Sequence, residues 1–296
     1  MSVVGAKISR VSALYVEYPV PEPLRSFVDC FWSSGDGRAS PGAKYPIVPD
    51  GCVDIVFRFA KRPGAIAFLE ELTVVGPMTR PLWLTPHAAE EWLGVRFLPG
   101  RAFPFVGIPL SRLVDLRPDA ADVLEGAIGG RLQGIGRLGS MEERLEGLER
   151  IILSSGGSAQ APPESVTGAV NLIQETDGDY RVDLLSSEIG ISRQHLSREF
   201  AKHVGLSPKK LSRIVRFRRA LRRVRQSAAP DWADLAAGLG YYDQAHFIAE
   251  FTQFAGLSPG RYRRCTDPAH FATLPKRPAS VLQWPQFDSL EAGMRR

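Results

Sequence analysis

Apolar positions in the first half of the chain alternate or run in short blocks, whereas in the second half they recur at helical spacing. Residues 47–59 (IVPDGCVDIVFRF) set a Pro-Asp-Gly turn before an apolar strand, and 72–78, 81–85 and 91–98 follow as short strands split by glycine and proline. Helical segments close this half. The last, over 140–153, has the capping-box spacing of Ser140 and Glu143, and Leu145, Leu148 and Ile152 fall on one face. Residues 154–164 (SSGGSAQAPPE) are small, polar and proline-bearing and read as a linker. Between Arg181 and Arg225 the only glycines and prolines are Gly190, Gly205 and Pro208, so this region is expected to be helical with breaks at those points. The fold class is α+β. A mostly β sensor or dimerisation domain is expected over 1–153, with a cupin-like barrel as one form its sheet can take. An all-α domain of two helix-turn-helix units joined by a long helix is expected over 165–264, and the tail 265–296 is unplaced by the pattern.

The helical half repeats itself. LSSEIG at 185–190 matches LAAGLG at 235–240 at an offset of 50, while His195, Phe200 and GLSP at 205–208 match His246, Phe251 and GLSP at 256–259 at an offset of 51. A short helix, a glycine turn, a second helix and a Gly-Leu-Ser-Pro stop make one supersecondary unit present twice. Ser207 and Ser258 cap helices whose first residues are Pro208 and Pro259. In the first copy Leu196, Phe200 and Val204 form an apolar stripe, leaving Gln194, Arg198 and Lys202 outward with Ser197 at the flank. A helix from 208 to 225 spans roughly 27 Å at about 1.5 Å per residue, enough to hold two such units about one DNA turn, roughly 34 Å, apart.

Charge sharpens this picture. The whole chain of 296 residues has a formal charge of only +5. Arg181 to Arg225, however, holds 13 basic and 3 acidic residues, whereas the first 155 residues hold 17 and 18. A local excess of this kind points to a polyanion, nucleic acid before membrane. Arg213, Arg216, Arg218, Arg219, Arg222 and Arg223 of the connecting helix are expected to meet phosphates or raise the local field.

SRQHLSREFAKHVGLSPKKLSR together with GYYDQAHFIAEFTQFAGLSPGRYRR resembles the C-terminal DNA-binding domain of AraC/XylS-type bacterial transcription regulators. The resemblance covers 165–264. It implies two recognition helices, over 192–204 and 243–255. Ser192, Arg193, Gln194, Ser197, Arg198 and Lys202 would lie toward DNA in the first, and Gln244, Ala245, Ile248 and Ala249 in the second. Ala249 stands where many members of that family have a basic residue and Glu250 follows it, so the first unit is expected to do most of the base reading. The partners implied are double-stranded promoter DNA, RNA polymerase and a small-molecule effector. The N-terminal half resembles sensor domains of such regulators through YPIVPDGCVDIVF and VVGPMTRP, and the 140–153 helix is a candidate homodimer contact.

In that half Phe57, Trp83, Trp92 and Arg96 are the candidate effector contacts, with Arg58 a second cation and core packing the competing role for the aromatics. His87 is the sole histidine before the linker, so a histidine-rich metal site is not expected there and no cofactor is assigned. Cys30, Cys52 and Cys265 are too scattered for a disulfide framework. None sits in a Cys-Arg or Cys-His context, which disfavours a DNA-repair alkyl transferase fused to the same module and leaves no enzyme expected. An architectural DNA binder without a ligand is the other alternative. With no apolar leader or membrane-length segment, the expected location is the cytoplasm.

Overall fold

A computed structural model describes residues 10–11, 15–35, 45–61, 64, 66–85, 89–124, 127–156, 161–226 and 230–265. His87, residues 157–160 of the expected linker and the tail beyond 265 lie outside the described residues. Among the described residues, the N-terminal half is built on a six-stranded antiparallel sheet. Its strands are β1 (Arg10–Val11), β2 (Tyr15–Tyr18), β3 (Val28–Gly35), β5 (Val53–Ala60), β6 (Phe68–Val75) and β8 (Glu90–Phe97), in the order β1-β2-β3-β8-β5-β6. β4 (Tyr45–Ile47) and β7 (Leu82–Leu84) form a separate pair. Among the described residues, edge strands β1 and β6 are not paired with each other, so the described strands do not form the closed cupin-like barrel that was one expectation.

Alternation gives the sheet two different faces. Val53, Ile55, Phe57 and Phe59 on β5, with Leu93, Val95 and Phe97 on β8, point into a core closed by helices α1 (Phe103–Val106), α2 (Ala120–Val123), α3 (Ala127–Gly134) and α4 (Met141–Gly156). α4 begins on the expected capping box: Ser140 Oγ accepts the Glu143 N–H at 3.2 Å, and Glu143 Oε2 accepts the Ser140 N–H at 3.0 Å. Its stripe of Leu145, Leu148 and Ile152 is buried in this same core. The apolar face expected to serve a homodimer is therefore used within the chain. β2 and β3 have no counterpart in the strand pattern read from sequence. A bulge between Val28 and Cys30 breaks the two-residue period of β3, and β2 is a four-residue strand that buries an acid, Glu17.

The opposite face carries buried chemistry. Tyr15, Cys30, Trp32 and Val56 pack together, and Trp32 lies so close over Gly94 that a Cβ there would come within 2.4 Å of its ring. Trp32 Nε1 donates to Asp54 Oδ1 at 2.9 Å, and Arg96 sits 3.3 Å from Asp54 and 3.7 Å from Asp50.

The helical half comprises α5 (Glu164–Glu175), α6 (Leu185–Ile189), α7 (Arg193–His203), α8 (Pro208–Gln226), α9 (Trp232–Gly238), α10 (Gln244–Ala255) and α11 (Pro259–Cys265). Leu211, Ile214, Phe217, Ala220, Leu221 and Val224 of α8 lie in one continuous core with residues from every other helix of this half, and Val48 of the N-terminal half joins it. No helix among the described residues is long and apolar enough to cross a membrane.

Burial pushes the Asp54 carboxyl up to about 6 against the pull of Arg96. The unfolded chain releases this proton near pH 3.9. The folded state therefore binds more protons between those values, and the stability gained is complete below about pH 3.9 and lost as pH rises through about 6. Denaturant unfolding should show stability falling from pH 5 to pH 7 by about 1 kcal/mol, an amount that Asp54→Asn removes. An unchanged pH profile in Asp54→Asn would contradict this assignment.

Candidate nucleic-acid interface

Each half of the repeat is a helix, a left-handed glycine and a capped second helix. Gly190 closes α6 at φ +76, and Ser192 Oγ then accepts the His195 N–H at 3.2 Å to start α7. Gly240 follows α9 at φ +73, and Asp243 Oδ1 accepts the His246 N–H at 2.7 Å to start α10. In α7, Leu196, Phe200 and Val204 are buried as the spacing requires, leaving Gln194, Ser197 and Arg198 exposed. In α10, Phe247, Phe251 and Phe254 are buried while Gln244, Ala245 and Ala249 are exposed. Phe217 of α8 meets Phe251 and Phe254 at ring distances of 5.4 and 5.2 Å.

The arginines of α8 are not a free cationic ridge. Glu250, 2% exposed, lies 2.5 Å from Arg213 Nε and 3.2 Å from Arg216 Nη2. Arg213 also donates to Gln253 Oε1 at 3.0 Å, and Arg216 lies over the Tyr241 ring at 4.5 Å. Asp177 takes Arg222 at 2.9 Å and Arg219 at 3.9 Å. Four of the six arginines expected at phosphates thus have internal carboxylates, for which their positions on the inner flank of α8 are responsible. Glu250 faces α8, so it does not set an acid against DNA as its place beside Ala249 suggested.

Residues 185–265 match the family model of a helix-turn-helix domain, and residues 16–119 match a domain of unknown function. This C-terminal region is an AraC-type helix-turn-helix domain. Over 98 residues, 33% of each chain, it is 31% identical to an uncharacterized HTH-type transcriptional regulator of Haemophilus influenzae. Over 94 residues, 31% of each chain, it is 27% identical to the HTH-type transcriptional regulator MtrA of Neisseria gonorrhoeae. The matched segment spans about a third of the length of these curated relatives. The C-terminal domain of AraT, a response regulator from Geobacillus stearothermophilus, is 25% identical. That match covers 36% of this chain and 88% of that one, with a TM-score of 0.33.

Within the AraC-type domain the candidate DNA residues separate into groups. Gln194, Ser197 and Arg198 share the exposed face of α7, with Arg198 Nη2 3.0 Å from His195 Nδ1. Ser192 is engaged as a cap, and Arg193 donates to the Asp183 carbonyl at 3.3 Å. Lys202 does not join this face: its Nζ lies 4.7 Å from the Phe103 ring of the N-terminal half. Ile248 is half-buried against the helical core, leaving Gln244, Ala245 and Ala249 for contact. Tyr242, 92% exposed in the turn before α10, is a group the repeat comparison passed over. The adjacent Tyr241 is buried, and because both lie in the turn between α9 and α10 no helix period could have separated them.

The four candidate effector residues are not brought together. Phe57 is fully buried on the helix-covered face of the sheet, whereas Trp92 and Arg96 lie on the other face. Trp83 sits on β7 against Gly256 of the helical half. Arg58 is held by Glu70 at 2.6 Å, Glu71 at 2.9 Å and Glu90 at 3.2 Å, and Arg96 by Asp50 and Asp54, so neither is an open cation for a ligand. Cys30 and Cys52 are buried, and burial pushes both thiols up, away from the thiolate form that alkyl transfer or redox sensing requires. A cleft of about 220 Å³ does open between the halves, with Asp50, Cys52 and Leu98 on one wall and Asn171, Gln174 and Arg218 on the other.

Glu250→Ala removes the buried acid and leaves Arg213 and Arg216, 30% and 18% exposed, within reach of water. It should lower stability by about 1–3 kcal/mol in denaturant unfolding, with Glu250→Gln milder. A loss below about 0.5 kcal/mol would show that the pairing of Glu250 is dispensable.

Proposed function

We propose that the protein is a sequence-specific transcription regulator that reads duplex promoter DNA with both helix-turn-helix units. The observation that carries this is the pair of capped helices, α7 and α10, that turn hydrogen-bonding or small residues outward at equivalent places of a repeat. Such helices fit the major groove, where arginine and glutamine read guanine and adenine edges. Arg198 and Gln194 are the main base readers and Ser197 supports them. Gln244 is the corresponding reader of α10, with Ala245 and Ala249 in apolar contact. Tyr242 is placed to meet a phosphate. The same reading takes RNA polymerase as the machinery acted on and the cytoplasm as the location.

The effector reading moves to the boundary of the two halves. A small organic molecule in the cleft beside Arg218 would touch both walls, so its binding would bias how the halves dock. The volume is below the roughly 300–1,000 Å³ of typical drug-sized ligand sites and suits a small metabolite.

Fluorescence anisotropy with a duplex selected from random sequence tests the DNA reading. At physiological salt the selected duplex should bind about 10³-fold or more tightly than a scrambled one. Arg198→Ala should cost about 1–3 kcal/mol and relax preference at one base pair. Equal affinity for all duplexes would overturn the proposal.

A further inference from the structure

The motif VVGPMTRP at 74–81 runs out of β6 and, with Trp83 on β7, ends against the AraC-type domain. It touches that domain at two equivalent points. A Cβ on Gly205 would lie 2.9 Å from Pro77 Cγ and 2.8 Å from the Leu110 carbonyl oxygen. On Gly256 it would lie 2.9 Å from Trp83 Cζ2 and 3.1 Å from Pro81 Cγ. Gly205 and Gly256 hold the same place in the repeat, just beyond the recognition helices, and take φ +79 and +73. One short stretch of the N-terminal half is therefore seated on both reading heads, and each seat is a glycine whose missing side chain permits the close approach.

The stretch is braced from its own side. The Gly76 N–H donates to the Leu116 carbonyl at 3.1 Å, and the Asp115 N–H to the Pro77 carbonyl at 3.0 Å. The Asp115 carboxylate accepts both the Thr79 N–H at 2.7 Å and the Thr79 hydroxyl at 2.6 Å. Asp115 takes φ +57 to do so, a conformation uncommon outside glycine. Leu110 and Leu113, which flank this brace, are buried in the sheet's core. Next to it, Phe103 meets the buried His203 ring edge-on at 4.7 Å. The contacts this stretch and Phe103 make with the helical half fall at the C-terminal end of α7 or just after α10. The exposed residues Gln194, Ser197 and Arg198, and Gln244, Ala245 and Ala249, lie in the first two turns. The stretch holds the heads without covering their reading faces.

We propose that Pro77, Pro81 and Trp83 are positioning residues that fix the separation and phase of the two recognition helices, so that the N-terminal half sets the half-site spacing the protein accepts. This rests on the reading that both heads contact DNA. Adding one base pair between half-sites turns the second by about 35° and shifts it by about 3.4 Å, which held heads cannot follow and loosened heads can.

The test uses the full chain and the selected duplex with none, one or two base pairs inserted between half-sites. Wild type should lose about tenfold or more in affinity on the first insertion, a penalty of about 1.4 kcal/mol. Trp83→Ala should lose less than about threefold, with Trp83→Phe restoring most of the wild-type penalty. Thr79→Val, which removes the hydroxyl bond of the brace without touching the helical half, should lower the spacing penalty in the same direction as Trp83→Ala and keeps the test open if that variant fails to fold. A specific wild type whose spacing penalty survives unchanged in Trp83→Ala and Thr79→Val overturns the proposal alone. A wild type without sequence preference overturns the reading of both heads and the proposal with it.

Discussion

The buried carboxylate of Glu250, held between Arg213 and Arg216, is the interaction on which the arrangement of the helical half depends. It ties α10 to α8 across a separation of 34 to 37 residues, and it does so at the layer where Phe217 meets Phe251 and Phe254. A charge buried to this degree is tolerable only when its partners are in place. Swinging the second head off α8 would give up both arginine contacts of Glu250 and open the aromatic core at once. The freedom left for the seats at Pro77, Pro81 and Trp83 to fix is therefore the head's fine orientation on α8. Asp177 makes a similar attachment with Arg219 and Arg222, near the cleft that faces the N-terminal half.

This pairing changes what the basic stretch of sequence means. The excess of 13 basic over 3 acidic residues between Arg181 and Arg225 suggests a cationic ridge, but four of the thirteen are engaged within the helical half, Arg213 and Arg216 by Glu250 of α10 and Arg219 and Arg222 by Asp177. The proposed base readers are therefore a smaller set, centred on Arg198 and Gln194 of α7 and Gln244 of α10. The two heads differ in what they expose: α7 presents an arginine, a glutamine and a serine, α10 a glutamine and two alanines. That contrast, and not the presence of Glu250, is the physical ground for expecting the first head to discriminate more strongly between bases.

The local features of the helical half were legible in the sequence because local chemistry decides them. Ser207 and Ser258 cap where the repeat places them, accepting the Lys210 and Arg261 N–H groups, and Pro208 opens a helix that ends at Gln226. The side-chain pairs were not legible, since nothing near Arg213 in sequence announces Glu250. In the N-terminal half, single strands such as β5 and β8 followed their alternation. The bulge in β3 hid that strand, and the order in which the described strands pair is set by contacts distant in sequence. The α4 stripe illustrates the remaining limit: an amphipathic helix requires a partner, but its pattern does not say whether the partner is its own domain. Trp83 is a related case, an aromatic expected near a ligand that instead packs at the turn after α10.

The claim at the centre of this account is that one rigid unit presents two reading heads to one face of the duplex. Hydroxyl-radical footprinting of the full chain on a selected duplex tests it most directly. The expected pattern is two protected segments about one helical turn apart, roughly 10 base pairs, on the same face, with the stronger protection over the half-site read by α7. Protection of a single groove, or two segments on opposite faces, would contradict it.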